Sequence, residues 1–230
     1  MRFSILTLFP EVIAPYVGAS ILGRASQAGL IRVEAVNPRD FTVDPHRKVD
    51  DAPYGGGSGM VMTCQPVDDA FKSLMPLAQP HQVLLTSPAG RRFDQAMALE
   101  LSQCQQIVIL CGHYEGYDER IVSLIQKRTA CVQEVSLGDF VLTGGELAAL
   151  AIVDAVSRQI PGVVQKRDSV EADSFFHGLL DYPHYTRPAC YDDLPVPDVL
   201  LSGDHARIAD WRRDQAQERT RRRRPDLLDS

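Results

Sequence analysis

The chain has 230 residues, 44% of them hydrophobic and 23% charged, a balance that suits one well-filled globular domain with a small appendage. No apolar run approaches the ~20 residues needed to cross a bilayer. Five cysteines (Cys64, Cys104, Cys111, Cys131, Cys190) without a Cys-x-x-Cys spacing argue against a disulfide framework and a zinc knuckle. Most of them are expected to be small core residues in a reducing compartment. Net charge is −6, which by itself does not advertise a nucleic-acid binder.

The N-terminal run Met1-Arg2-Phe3-Ser4-Ile5-Leu6 alternates like a strand, and Pro10-Glu11 ends it too early for a signal peptide, so a cytoplasmic location is expected. Phe3–Phe9 is the first predicted strand, followed by an amphipathic segment over Glu11–Ala28 and a strand over Ile31–Val36. Helical patterns at Pro66–Leu74, Asp94–Gln103 and Asp118–Lys127 then alternate with strands at Gln82–Thr86, Gln106–Cys111 and Thr129–Val135. Gln106–Cys111 is continuously apolar, as a central strand buried on both faces should be. Strands alternating with helices imply crossover connections, hence an α/β fold whose mostly parallel sheet carries helices on both faces.

Glu146–Ile160 reads as a helix that Pro161-Gly162 ends, with Thr143 and Glu146 at capping-box spacing. Residues 161–173 are polar and unpatterned, as a linker is. Residues 174–230 begin proline-rich and become helical around Asp204–Thr220, so a first domain at 1–160 and a small helical domain at 174–230 are expected. Seven arginines stand against two acids between Arg212 and Arg224. Such a run either neutralises phosphates or is a solvated helix end whose cations suit the C-terminal dipole.

Three glycine-bearing turns are candidates for chemistry. Gly112 and Gly116 follow Gln106–Cys111, and Gly144 and Gly145 follow the apolar run Phe140–Leu142. Ligands in open α/β sheets bind at the carboxyl ends of strands, so the pair points to a crevice. The third turn, Pro53-Tyr54-Gly55-Gly56-Gly57-Ser58-Gly59-Met60, lacks the Gly-Lys-Ser/Thr ending of a phosphate loop and the third glycine of a dinucleotide fingerprint. It is either a flexible surface loop or a mobile lid.

Pro53–Met60, Cys111-Gly112-His113-Tyr114-Glu115-Gly116-Tyr117-Asp118-Glu119-Arg120, Ser136-Leu137-Gly138-Asp139-Phe140-Val141-Leu142-Thr143-Gly144-Gly145-Glu146 and Pro183-His184-Tyr185-Thr186-Arg187-Pro188 together resemble the bacterial tRNA (guanine-N1)-methyltransferases of the SPOUT superfamily. The resemblance runs in order from about Met1 to Leu228. It implies a C-terminal trefoil knot, S-adenosylmethionine as methyl donor, and a homodimer with shared active sites. It also implies methylation of guanine at position 37 of tRNA, 3′ of the anticodon. The donor-binding residues it implies are Leu85, Thr86, Ser87 and Pro88; Gly112, Tyr114, Glu115 and Gly116; and Ser136, Leu137, Gly138, Asp139, Phe140, Val141, Leu142, Gly144 and Gly145. Leu85, where many relatives carry tyrosine, is expected to offer an apolar wall. His113 stands where some relatives have arginine and receives no role. Tyr54, Gly55, Gly56, Gly57, Ser174, His184 and Arg187 are implied to touch the RNA. A magnesium ion is implied as well, with Glu115 near it, but one or two carboxylates and water leave no sequence signature and its ligands stay unnamed.

The chemistry suits the residue types. Guanine N1 is a poor nucleophile until its proton leaves, and a carboxylate in hydrogen-bond reach can accept that proton. Charge then develops towards O6, where a guanidinium can stabilise it. The resemblance assigns these roles to Asp173 and Arg158. From the residues alone, Asp173 is a solvated loop residue or a helix cap. Two other readings compete: a SPOUT methyltransferase acting on ribose or another base, and a non-catalytic RNA-binding protein that uses the arginine run.

Overall fold

The computed structural model describes residues 1–165 and 171–228. The chain divides into two compact units, Met1–Gln165 and Lys166–Ser230. Residues 166–170 of the expected linker lie outside the described residues.

The first unit is built on a five-stranded sheet of β1 (Arg2–Leu6), β2 (Arg32–Val36), β5 (His81–Arg92), β6 (Gln106–Leu110) and β7 (Val132–Ser136), in the order β2-β1-β6-β5-β7. Every pairing in it is parallel, with β1 in register with β6 from Arg2↔Gln106 to Leu6↔Leu110. The two-residue strands β3 (Asp50–Asp51) and β4 (Val61–Met62) form a separate antiparallel ribbon.

Side chains alternate across a strand, so each central strand feeds two cores. Phe3, Ile5, Leu84, Ile107 and Ile109 face one core, filled from α1 (Pro10–Val17), α2 (Ser20–Gln27), α4 (Gln95–Leu101) and α6 (Glu146–Ser157) by Ile13, Leu22, Met97, Ile152 and Val156. Leu6, Val83, Leu85, Val108 and Leu110 face the other, where α3 (Cys64–Ser73) and α5 (Arg120–Gln126) bring Val67, Phe71, Ile121 and Ile125. The sheet is thus covered on both faces, as the strand–helix alternation predicts. All five residues of β6 are buried, the apolar run Ile107–Leu110 together with the polar Gln106.

Local expectations fail in four places. The single helix over Glu11–Ala28 is two, because Gly18 closes α1 and Gly23 of α2 backs onto it; a Cβ on Gly23 would lie 2.3 Å from the Gly18 carbonyl oxygen. The capping box does not form: Gly145 occupies the N-cap of α6, and buried Glu146 accepts a 2.7 Å hydrogen bond from Thr7 Oγ1 instead. Phe140–Leu142 is not a strand but an exposed segment. Of the cysteines only Cys111 is buried, while Cys64 and Cys104 are half-buried and Cys131 and Cys190 exposed.

In the second unit, β8 (Cys190–Tyr191) and β9 (Leu194–Pro195) form a small ribbon, followed by α7 (Asp198–Leu201) and α8 (His205–Arg223). The Asp204 carboxylate caps α8 by accepting from the Arg207 backbone N–H at 3.1 Å. Buried Thr220 of α8 accepts the Leu180 N–H at 2.9 Å and donates to the Ala216 carbonyl at 2.7 Å, which ties the preceding loop to the helix.

Candidate active site

A cleft of about 320 Å³ opens at the carboxyl ends of β5, β6 and β7. Three loops build it. The first lies within β5, whose pairing to β7 shifts register between Thr86 and Arg91, so that Ser87 and Pro88 bulge into the cleft wall. The second follows β6 and contributes Gly112, His113, Tyr114, Glu115 and Gly116; the third follows β7 and contributes Ser136, Leu137, Gly138 and Phe140–Gly145.

Thr86 fastens the loops. Its buried hydroxyl donates to the Leu110 carbonyl at 3.1 Å and accepts the Gly112 N–H at 2.9 Å. The Gly145 N–H then donates to the Gly112 carbonyl at 2.8 Å, and His113 and Gly144 form an isolated antiparallel bridge. Gly145 must be glycine: a Cβ there would lie 2.1 Å from Thr86 Oγ1 and 2.8 Å from Cys111 Cα. In the third loop the Ser136 hydroxyl accepts the Gly138 N–H at 3.2 Å and donates to the Gly138 carbonyl at 3.1 Å, pinning the turn.

The glycine-rich loop is moored to the same place. The Glu115 N–H donates to the Met60 carbonyl, and the Met62 N–H to the Gly116 carbonyl, both at 3.0 Å. Gly55, Gly56, Gly57 and Gly59 all have positive φ, a conformation other residues adopt only at a cost, and Tyr54 at the tip is fully exposed. Gly59 packs so closely on Glu115 that a Cβ would lie 2.4 Å from its side chain.

The cleft is polar along its backbone and apolar along its walls, with Glu115 as its one carboxylate among the described residues. Phe140, Val141, Leu142 and Tyr114 are exposed apolar or aromatic groups at its edge. His113 Nδ1 is buried without a hydrogen-bond partner among the described residues, its ring packed 4.9 Å from Phe9 and 4.8 Å from Tyr114. Beneath the cleft, burial followed by the nearby Glu146 charge pushes the Cys111 thiol well above its usual range, leaving it protonated and unreactive. Burial and a 2.8 Å hydrogen bond to Glu134 likewise raise the Tyr117 phenol. This combination suits a ligand of nucleoside size, with flat faces and hydrogen-bonding edges.

Of the donor-site residues expected from sequence, all but two line the cleft. Leu85 does not: its side chain is fully buried in the core with Val83 and Leu110, so the expected apolar wall is supplied by others. Asp139 is exposed and points no group into the lining. His113, Thr143, Val135 and Ala148 line it without having been singled out. His113 was legible from its place inside the Gly112–Gly116 turn; Ala148 was not, because only the close approach of α6 brings it there.

Arg158 is the half-buried C-cap of α6 in the first unit, and exposed Asp173 lies in the second. Asp173 does not cap a helix, since hydrogen-bonded turns follow it, with Phe176 N–H donating to its carbonyl at 3.4 Å. Ser174 Oγ accepts the Asp181 N–H at 2.9 Å, His184 Nε2 is bonded to Asp181 Oδ2 at 2.6 Å, and Arg187 is exposed. Part of the arginine run is paired: Arg213 with Asp210, Arg221 with Glu218 and Arg224 with Asp226. Arg222 and Arg223 are exposed and enter no ion pair among the described residues. No three His, Cys, Asp or Glu side chains are gathered to hold a metal among the described residues. No helix among the described residues is long and apolar enough to cross a membrane.

A doubly covered parallel sheet with its cleft at the strand ends, closed by glycine loops, defines an α/β protein of the ligand-binding, open-sheet class. The family described as tRNA (Guanine-1)-methyltransferase TrmD matches residues 1–230. Proteins named tRNA (guanine-N(1)-)-methyltransferase are 52% identical in Ruminiclostridium cellulolyticum, over 99% of this chain and 96% of theirs, and 53% identical in Exiguobacterium sp., over 100% and 93%. The protein of that name in Nostoc punctiforme is 51% identical over 100% of this chain and 94% of its own. The chain belongs to the tRNA (guanine-1)-methyltransferase family.

Proposed function

We propose that the enzyme transfers a methyl group from S-adenosylmethionine to N1 of guanine 37 of tRNA, 3′ of the anticodon. The observation that carries the reading is the cleft formed by Ser87–Pro88, Gly112–Gly116 and Ser136–Gly145 at the strand ends. Backbone amides and carbonyls of these loops suit the polar edges of the donor, the apolar walls its flat parts, and the unpartnered His113 Nδ1 supplies one further polar contact. When bound, the donor supplies an electrophilic methyl group on a sulfonium centre.

The chain's own residues then do three things. Asp173 accepts the N1 proton as the nitrogen attacks. Arg158 holds the charge that develops at O6. Arg222 and Arg223, exposed on the last turn of α8, neutralise phosphates of the tRNA. Tyr54 and Gly55–Gly57, moored beside Glu115, close over the base.

We further read the enzyme as a cytoplasmic homodimer in which each site joins the donor loops of one chain to Asp173 of the other. Val12 and Tyr16 of α1 and Leu147 of α6 are large apolar or aromatic groups left exposed, and a second copy would cover them. A knotted path through residues 85–145 is supported by the contact of three segments at Gly145, where Thr86, Cys111 and Gly112 leave no room for a Cβ. The test is methyl transfer from labelled donor to a tRNA carrying guanine 37 and to the same tRNA with that base replaced. Equal labelling of both would overturn the assignment of the base.

A further inference from the structure

The second unit holds its own cavity, of about 600 Å³, distinct in composition from the first. Tyr182, His184, Tyr185, Arg187, Trp211 and Arg212 line it, and α7 and α8 add apolar lining through Leu200 and Ile208. No carboxylate lines it among the described residues, although the chain carries 30 acids against 24 lysines and arginines. The aromatic groups are held in place. The Arg212 guanidinium lies over the Tyr182 ring at 4.9 Å, and the Tyr182 and His184 rings are 4.6 Å apart. His184 is fixed through its 2.6 Å bond to Asp181, whose carbonyl also accepts from Arg219 at 3.2 Å. Tyr185 stands 6.4 Å from Trp211 with half its surface exposed, so aromatic surface remains uncovered at the mouth.

Aromatic faces combined with guanidinium groups form the set that binds single-stranded nucleic acid: bases stack on the rings, and the cations take the backbone. An aliphatic partner would leave both arginines facing apolar groups, and an acidic partner would leave the aromatic faces unused. We propose that this cavity takes one unpaired nucleobase of the RNA substrate, stacked against the Trp211–Tyr185 pair, with Arg187 and Arg212 on the flanking phosphates. The inference rests on RNA being the substrate, and it adds a second base-sized contact to the one at which methylation takes place.

Trp211 is the only tryptophan of the chain, so its emission reports on this cavity alone. The full-length enzyme is titrated with a hairpin RNA of the anticodon-arm type, with a blunt duplex of equal length, and with hairpins made abasic at each loop position in turn. The hairpin should quench Trp211 emission saturably, the duplex should not, and one abasic position should abolish the quench. Tyr185→Ala should weaken hairpin binding by about tenfold, the worth of one base–aromatic stack, and leave S-adenosylmethionine binding as it is. Equal quenching by duplex and hairpin, or wild-type hairpin affinity in Tyr185→Ala, overturns the proposal. Methyl transfer on the same preparation separates the two readings. Normal transfer to tRNA without any hairpin quench sinks the cavity, whereas a normal quench without transfer sinks the methylation reading and leaves the cavity standing.

Discussion

Replacing Gly145 by alanine tests how the cleft is assembled. The backbone there has φ −79° and ψ −3°, which any residue adopts, so the substitution carries no conformational strain. Its effect is purely steric. The new methyl carbon would lie 2.1 Å from Thr86 Oγ1, 2.8 Å from Cys111 Cα and 2.9 Å from the Gly112 nitrogen, where ordinary contact begins near 3.5 Å. Two of the three are backbone atoms of Cys111 and Gly112, just past the end of β6, so α6 has to move. Overpacking of this kind costs about 1–3 kcal/mol. Displacing Thr86 Oγ1 also disturbs its bonds to Leu110 and Gly112, at roughly 1 kcal/mol each. A total of about 4 kcal/mol lowers the melting point of a unit this size by about 10 °C. Because the same atoms set the spacing of the donor loops, affinity for S-adenosylmethionine should fall at least about tenfold by calorimetric titration. Gly56→Ala is the control: φ is +78° but no atom lies within 4 Å of a Cβ, so it should cost only about 1 kcal/mol and leave donor affinity intact. A Gly145→Ala protein with wild-type melting and donor affinity would refute the packing argument.

Other outcomes follow from the same geometry. Asp173→Asn should lower turnover by a factor of roughly 10²–10⁴ while donor affinity holds, and near-normal turnover would remove Asp173 from the mechanism. Neutralising Arg222 and Arg223 together should flatten the salt dependence of tRNA binding by about 1.5 in logarithmic slope, and an unchanged slope would make them a solvated helix end. The Asp118 carboxyl is held well below the usual carboxylate range, first by hydrogen bonding from Arg120, so its contribution to stability is present above about pH 4 and disappears as pH falls through its lowered folded value. Asp118→Asn should therefore melt below wild type at pH 7, with the gap narrowing as pH falls below about 4; a gap as wide at pH 2 as at pH 7 contradicts this. With sites shared between two chains as proposed, mixing Asp173→Asn chains with chains carrying a bulky residue at Gly138 should restore about a quarter of wild-type activity after subunit exchange, since half the dimers would be mixed and each would hold one intact site. No recovery with exchange confirmed by mass counts against shared sites.

What the sequence revealed follows the range of the interactions involved. The strands were legible because apolar residues there recur at the period of the structure itself, and β6 because burial on both faces demands an unbroken apolar run. The glycine turns were legible because positive φ and close backbone approach both select glycine. The strand read at Gln82–Thr86 is longer in the fold, where β5 passes through a bulge after Thr86 and Arg91 and Arg92 pair with β7 again, a pairing that no local pattern shows. The capping box was misread because Glu146 found Thr7, 139 residues away, a partner that no local pattern shows. The apolar run Phe140–Leu142 is exposed, and hydropathy cannot tell a side chain held for the core from one held at the edge of a cleft. Asp173 and Arg158 carry no local signal at all, and only the family resemblance singled them out.

The pairing of β1 also sets when each of its edges can be satisfied during synthesis. The strand takes β2 on one side about thirty residues into synthesis, but its other neighbour, β6, begins only at Gln106. At roughly 5–20 residues per second on the ribosome, Phe3 and Ile5 wait several seconds with one backbone edge unsatisfied. During that interval the nascent chain is a sticky half-sheet, open to any strand that reaches it first. Slower decoding ahead of residue 106 should therefore lengthen dependence on chaperones.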